Sequence, residues 1–225
     1  MTDRTREILE AAVDYHIKTG EPITSANLYA EYDFGIKPAM IRWELNQLTE
    51  DGFLYQNHPS GGRFPTNAAY KFFAELSLVR AGTQVRSLNQ YRSAVRAGEM
   101  QNLLNMVSEE LKVMALGYDE TRKHSYRTPF HNFLENLEAN QAEEVVSAIE
   151  ECERLADELS SKNFFGTNED LRIFIGRSPV LRSDNLSMIA SRVETDRGEW
   201  SLFLIGPKRM DYDKPIRIFK QLKKI

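Results

Sequence analysis

Apolar residues in the first third of the chain recur with the period of an α-helix. In TREILEAAVDYHIKTG, Ile8, Leu9, Ala12, Val13 and Ile17 share one helical face, and Gly20 supplies a stop after Lys18. The following EPITSANLYAEY offers Thr24 or Ser25 as the N-cap of a short second helix carrying Ala26, Leu28 and Tyr29, with Gly35 to end it. In KPAMIRWELNQLTEDG, Pro38 suits the first turn of a third helix, where its missing N–H would have no partner anyway. Ile41, Leu45 and Leu48 then repeat at i, i+4 and i+7 toward a core, and Gly52 terminates the run. The opposite face presents Ala39, Arg42, Trp43, Asn46 and Glu50, with Met40 and Gln47 on its flank.

Beyond Gly52 the pattern shortens. FLYQ has the composition of a strand, and RFPT that of a return strand which stops where Thr66 caps another helix, NAAYKFFAELSLV. Between them, NHPSGGRFPT places Gly61 and Gly62 at a hairpin tip that lets the backbone reverse close to a surface, with Pro59 and Pro65 stiffening its ends. Three helices followed by a hairpin form a winged helix-turn-helix, in which the third helix enters the major groove and the wing reaches the backbone or the adjacent minor groove. The residues expected to face a duplex are Lys37, Ala39, Met40, Arg42, Trp43 and Asn46 on the helix, and His58, Ser60, Gly61, Gly62 and Arg63 on the wing. Arg63 would offer its guanidinium to a phosphate or a narrow groove. Lys37 is a poor N-cap, which leaves the first helical amides for a phosphate.

The second half mixes both periods. Residues 81–98, AGTQVRSLNQYRSAVRAG, read as a polar helical connector with Leu88, Tyr91 and Val95 on one face and Gly82 and Gly98 at its ends, so the expected domains are 1–80, a linker at 81–98, and 99–225. Met100, Leu104, Val107, Leu111 and Met114 step by four and three, as do Val145, Ile149, Cys152, Ala156 and Leu159. Stripes of about two heptads more often mark a helix packed on a sheet than a coiled coil. TPFHNFLENLEANQ reads as a further helix with Thr128 as cap, Pro129 first and Asn140 as an interruption. Strand composition marks 171–175, 186–194 and 199–205, the last two joined by a turn through Thr195, Asp196, Arg197 and Gly198, which predicts a small antiparallel sheet and an α+β fold. Gly206 and Pro207 form a structural turn out of that sheet, and Asp211 or Asp213 caps a terminal helix carrying Ile216, Phe219 and Leu222.

Charge changes the picture at the winged helix. Residues 1–75 hold seven Lys and Arg against eleven Asp and Glu, a net of −4, whereas counterion release by basic side chains normally supplies most of the affinity for a duplex. Lys37, Arg42, Arg63 and Lys71 fall on or beside the reading face, so local placement has to supply what net charge does not. An acidic winged helix with Trp43 and Met40 turned outward also suits a protein–protein interaction module, and that second reading stays open. The single cysteine, Cys152, excludes an internal disulfide and a cysteine-rich zinc site, and His16, His58, His124 and His131 lack metal-binding spacing, so no metal and no cofactor are expected. No G-x-S-x-G, phosphate loop or comparable signature marks an enzyme. No apolar run approaches the ~18 residues of a membrane span, and MTDRTREIL is charged at once, so a cytoplasmic protein without a membrane partner is expected.

REILEAAVDYHIKTGEPITSANL, IRWELNQLTEDGFLYQNHPSGGRFPTNAAYKFF and, near the far end, LFLIGPKRMDY resemble the heat-inducible transcription repressor family HrcA, over residues 1 to about 80 and about 170 to 225. The resemblance implies a repressor that binds, as a dimer, an inverted-repeat operator called CIRCE ahead of chaperonin and chaperone operons. It implies that heat inactivates the repressor and that a GroEL-type chaperonin returns it to the active fold. It also implies a second domain that is GAF-like and interrupted by an inserted dimerisation domain. Here only Asp119 to Thr128 separates the first heptad-like helix from the next. The expected form is therefore a short one: a truncated GAF-like α+β domain without the insertion, whose half-sheet pairs with another copy as a homodimer and encloses no ligand pocket. One departure touches readout. Family members carry Ser-Ser-Ala-Thr before Ile-Arg-Asn, where this chain has Lys37, Pro38, Ala39 and Met40 before Ile41, Arg42 and Trp43. Hydroxyls give way to an indole and a thioether, groups suited to thymine methyls or to protein packing.

Overall fold

A computed structural model describes residues 1–58, 61–80, 88–137, 142–158, 171–195 and 198–222. Pro59, Gly82, Asn140, Leu159, Asp196 and Arg197, each given a part above, lie outside the described residues. The chain divides into two compact units, Met1–Leu76 and Ser77–Ile225.

The first unit holds α1 (Asp3–Thr19), α2 (Ser25–Glu31), α3 (Pro38–Glu50), the hairpin strands β1 (Leu54–Tyr55) and β2 (Phe64–Pro65), and most of α4 (Asn67–Arg80). Helix α1 opens with the Thr2 hydroxyl accepting the Thr5 N–H at 3.1 Å and closes on Gly20 at φ 72°. Thr24 caps α2, accepting the Asn27 N–H at 3.1 Å. That helix stops at Glu31, well ahead of Gly35, because Tyr32 turns extended and its hydroxyl donates to Asp14 of α1 at 2.6 Å. Of the three residues expected along α2, Leu28 goes inside while Ala26 and Tyr29 face outward. Ile8, Leu9, Ala12, Val13, Ile23, Leu28, Ile41, Leu45, Leu48, Leu54 and Tyr70 form the buried interior. Among them lies a carboxylate: Glu44 of α3 accepts a hydrogen bond from the Thr5 hydroxyl at 2.9 Å, which keys α3 to α1.

The second unit contains α5 (Leu88–Ala97), α6 (Met100–Leu111), β3 (Met114–Asp119), β4 (His124–Arg127), α7 (His131–Asn136), α8 (Ala142–Glu158), β5 (Leu171–Ile175), β6 (Leu186–Thr195), β7 (Gly198–Pro207) and α9 (Asp213–Leu222). The strands make one antiparallel sheet in the order β4-β3-β7-β6-β5. The expected half-sheet is thus corrected to five strands, two of them where the pattern reads as helix and loop. Met114 is in phase with the α6 stripe, yet α6 ends at Leu111 because Lys112 turns left-handed at φ 54° and returns its N–H to the Ser108 carbonyl. The Ser108 hydroxyl donates to the Val113 carbonyl at 2.6 Å and fixes the exit. From Met114 to Asp119 every residue is buried, and a strand covered on both faces does not alternate. Thr128 caps nothing: its N–H donates to the Ala115 carbonyl at 3.0 Å and its hydroxyl accepts the Ala115 N–H at 2.9 Å, so α7 begins only at His131.

One sheet face carries Met114 and Leu116 of β3, Phe203 and Ile205 of β7, and Leu186, Met188 and Ala190 of β6 against Phe133 of α7 and Ala148, Cys152 and Leu155 of α8. Helix α8 is therefore a helix on a sheet, and burial pushes the Cys152 thiol up to about 12. The other face is covered by α6 on β3 and α9 on β6, with α5 packed on α6 and α9 and its Tyr91, Ala94 and Val95 buried. A Cβ on Gly117 would sit 3.0 Å from Leu104 Cδ1, so the glycine lets the Leu104 side chain of α6 rest directly on β3. A buried ion pair ties α8 to the chain ahead of β6. Arg154 bonds both oxygens of Glu151 at 2.9 and 2.7 Å and the Val180 carbonyl at 2.7 Å, and Glu151 also accepts the Arg182 N–H at 2.6 Å. Gly206 and Pro207 end β7, where a Cβ on Gly206 would fall 2.9 Å from Met210 Sδ and Val113 Cγ1, and Asp211 accepts the Asp213 N–H at 2.9 Å ahead of α9.

Candidate nucleic-acid interface

Helix α3 is set by its two ends and its apolar row. Pro38 starts it; Lys37 stands extended before it, makes no side-chain cap bond, and its carbonyl accepts the Met40 N–H at 2.9 Å. Ile41, Glu44, Leu45 and Leu48 point into the unit. The structure brings Lys37, Ala39, Met40, Arg42, Trp43 and Asn46 out to solvent together, with Trp43 54% and Met40 43% exposed. Both present apolar surface that a partner could cover.

The wing departs from the simple expectation. Arg63 does not extend from the hairpin tip. Its backbone pairs with Ile23 in an isolated antiparallel bridge, which ties the wing to the α1–α2 connection. Its guanidinium folds back over α3, donating from Nε to the Thr49 hydroxyl at 3.2 Å and from Nη2 to Asn46 Oδ1. Both acceptors are neutral, so Arg63 keeps an uncompensated positive charge there. Arg42 stands about one helical turn before Asn46, the residue Arg63 bonds, and burial and then the positive charge of Arg42 lower the Arg63 pKa.

The two wing glycines serve the fold. A Cβ on Gly62 would lie 2.5 Å from Pro22 Cβ and 3.0 Å from the Ile23 carbonyl oxygen, so the chain's own connection demands glycine there. The Gly61 N–H closes a turn on the His58 carbonyl at 2.9 Å, and both of these residues are exposed. Neither glycine has a positive φ. Ser60 lies outside the described residues. The hairpin is rooted by Tyr55 stacked on Phe64, centroids 5.6 Å apart, and by the His16 ring edge-on to Phe64 at 5.7 Å. Thr49, Pro22 and Ile23 thus hold the wing, and sequence reasoning passes over them: they are ordinary residues whose role comes only from distant pairing.

Among the described residues no group of His, Cys, Asp and Glu could hold a metal ion, and no helix is long and apolar enough to cross a membrane.

A family model described as HrcA protein C terminal domain matches residues 70–216. The chain is 39% identical over 90 residues to the heat-inducible transcription repressor HrcA of Synechocystis sp., covering 40% of this chain and 24% of that protein. It is 32% identical over 106 residues to the HrcA of Desulfitobacterium hafniense, covering 46% and 31%. The matches thus span about a quarter to a third of these relatives' own length. A solved crystal structure of a hypothetical protein shares the fold with a TM-score of 0.76 and 16% identity, over 100% of this chain and 97% of that one.

Proposed function

Because the chain belongs to the HrcA family, we propose that it is a transcription repressor that binds double-stranded DNA through the outward face of α3 and the wing. The observation that carries this reading is the convergence of Arg42, Asn46 and Arg63 beside exposed Met40 and Trp43 on one side of a buried-backed helix. Lys37 and Arg42 would meet phosphates, Ala39, Met40 and Trp43 would meet thymine methyls, and His58, Ser60 and Gly61 would follow the backbone. The operator we assign is the CIRCE inverted repeat, whose two-fold symmetry calls for a homodimer. The second unit, a GAF-like domain without the inserted dimerisation domain, would supply the pairing. Inactivation by heat, recovery through a GroEL-type chaperonin and a cytoplasmic setting complete the proposal, and they rest on the family.

The test is fluorescence anisotropy of a labelled CIRCE duplex beside a scrambled one at several salt concentrations. Preferential binding that weakens steeply with salt is the expected result. Equal, feeble binding of both duplexes would sink it. It would favour the second reading, a protein-interaction module, which draws support from the net charge of −4 over residues 1–75 and from the exposure of Trp43 and Met40.

A further inference from the structure

Resting on that DNA-binding reading, we propose that Asn46 is a specificity-determining residue held donor-outward by Arg63, so that it selects guanine over adenine in the major groove. The argument starts from what each group can do. A guanidinium has five N–H donors and no acceptor, whereas a carboxamide has an accepting oxygen on one side and a donating NH2 on the other. Arg63 can therefore bond only the oxygen of Asn46, as it does through Nη2. Thr49 anchors the same guanidinium through Nε at 3.2 Å, and the Thr49 hydroxyl donates in turn to the Leu45 carbonyl at 2.8 Å. The Arg63 backbone is pinned to Ile23 by two hydrogen bonds of 2.7 and 2.8 Å. The amide is thereby turned from the wing side, with its NH2 on the side away from Arg63.

An asparagine with both edges open grips adenine with a matched pair of bonds, accepting from N6 and donating to N7. One lone pair of the Asn46 oxygen is taken by Arg63, whose positive charge also repels a further N–H donor there, and the NH2 is the edge left open. Guanine presents two adjacent acceptors, O6 and N7, which two donor hydrogens suit; adenine sets a donor at N6 against them, and cytosine sets one at N4. Arg63 acts through Asn46 and is a positioning residue in this scheme, distinct from any phosphate contact it makes.

The experiment uses the full chain and a set of CIRCE duplexes in which each guanine in turn is replaced by 7-deazaguanine, which lacks the N7 acceptor. For the unaltered protein, one replacement per half-site should weaken binding by about tenfold. Asn46→Ala should bind the unmodified duplex about tenfold more weakly and be indifferent to that replacement. Arg63→Met, which frees the amide to turn over, should accept adenine at the same position nearly as well as guanine. If the CIRCE duplex is preferred over a scrambled one but no guanine position depends on Asn46, the assignment is overturned while the repressor reading stands. If no duplex is preferred, both fall.

Discussion

Ile23 and Arg63 exchange both of their backbone hydrogen bonds, at 2.7 and 2.8 Å, and this single bridge makes the wing an extension of the α1–α2 connection. The bridge brings the chain so close that Gly62 has no room for a side chain. Gly62→Ala must move the rigid Pro22 ring or the Ile23 backbone, and overpacking of this kind costs about 1–3 kcal/mol. Urea denaturation of the full chain should show that loss, whereas Gly61→Ala, whose nearest neighbour would be the His58 carbonyl at 3.3 Å, should cost less. Equal effects at the two positions would contradict the bridge geometry.

Glu44 is a buried carboxylate whose partner is the Thr5 hydroxyl. Thr5→Val preserves shape but removes the donor, and an acceptor left unsatisfied in a buried site costs about 1–3 kcal/mol. The double change Thr5→Val with Glu44→Leu should recover much of that loss, because both polar partners then disappear together. A double-mutant cycle measured by denaturation reads the coupling directly.

The Glu151–Arg154 pair sets an acid limit for the second unit. Burial pushes the Glu151 carboxyl up, but the bonds from Arg154 and from the Arg182 N–H outweigh it and hold its pKa below the ordinary value. A carboxyl depressed in the folded state and ordinary in the unfolded one stabilises the fold above the unfolded pKa of about 4.3, and that contribution is lost as pH falls through the folded value. Thermal unfolding followed across that window should show the midpoint dropping more steeply for the unaltered protein than for Glu151→Gln. Arg154→Met, which leaves Glu151 with the Arg182 N–H as its remaining partner, should cost about 1–3 kcal/mol at neutral pH.

On the proposed DNA face, Arg42 and Trp43 should separate by salt. Arg42→Ala should lower the slope of log affinity against log salt by about one, and Trp43→Ala should weaken binding at every salt concentration with the slope unchanged. Both side chains are exposed, so neither change should move stability by more than about 0.5 kcal/mol. Identical slopes for the two variants would remove the phosphate role from Arg42.

The outer face of α3 was legible from the chain alone because two independent signals agreed there: Pro38 fixed the helix start, and Ile41, Leu45 and Leu48 fixed its inward side. Strands β5, β6 and β7 were legible for the same reason, apolar β-rich runs flanked by turn residues. Strand β3 was hidden because Met114 continues the α6 period and the short run behind it, residues 115–118, shows no alternation of polar and apolar residues, so no periodicity separates helix from doubly covered strand. Thr128 has the residue type of a cap, and only its pairing with Ala115 reveals a ladder. The folding back of Arg63 onto Asn46 and Thr49 is tertiary in origin, and no local spacing announces it.

The strand order of the second unit also dictates when it can be assembled. Strand β7 lies between β3 and β6, and the seam it shares with β3 pairs positions as far apart in the chain as Met114 and Ile205. A ribosome making this protein releases the first unit long before it releases β7. Until then the β3–β4 hairpin waits with one edge of β3 open, and closing so long a loop is intrinsically slow. The newborn chain therefore passes through a stage in which its first unit can be formed while its sheet still lacks the middle strand.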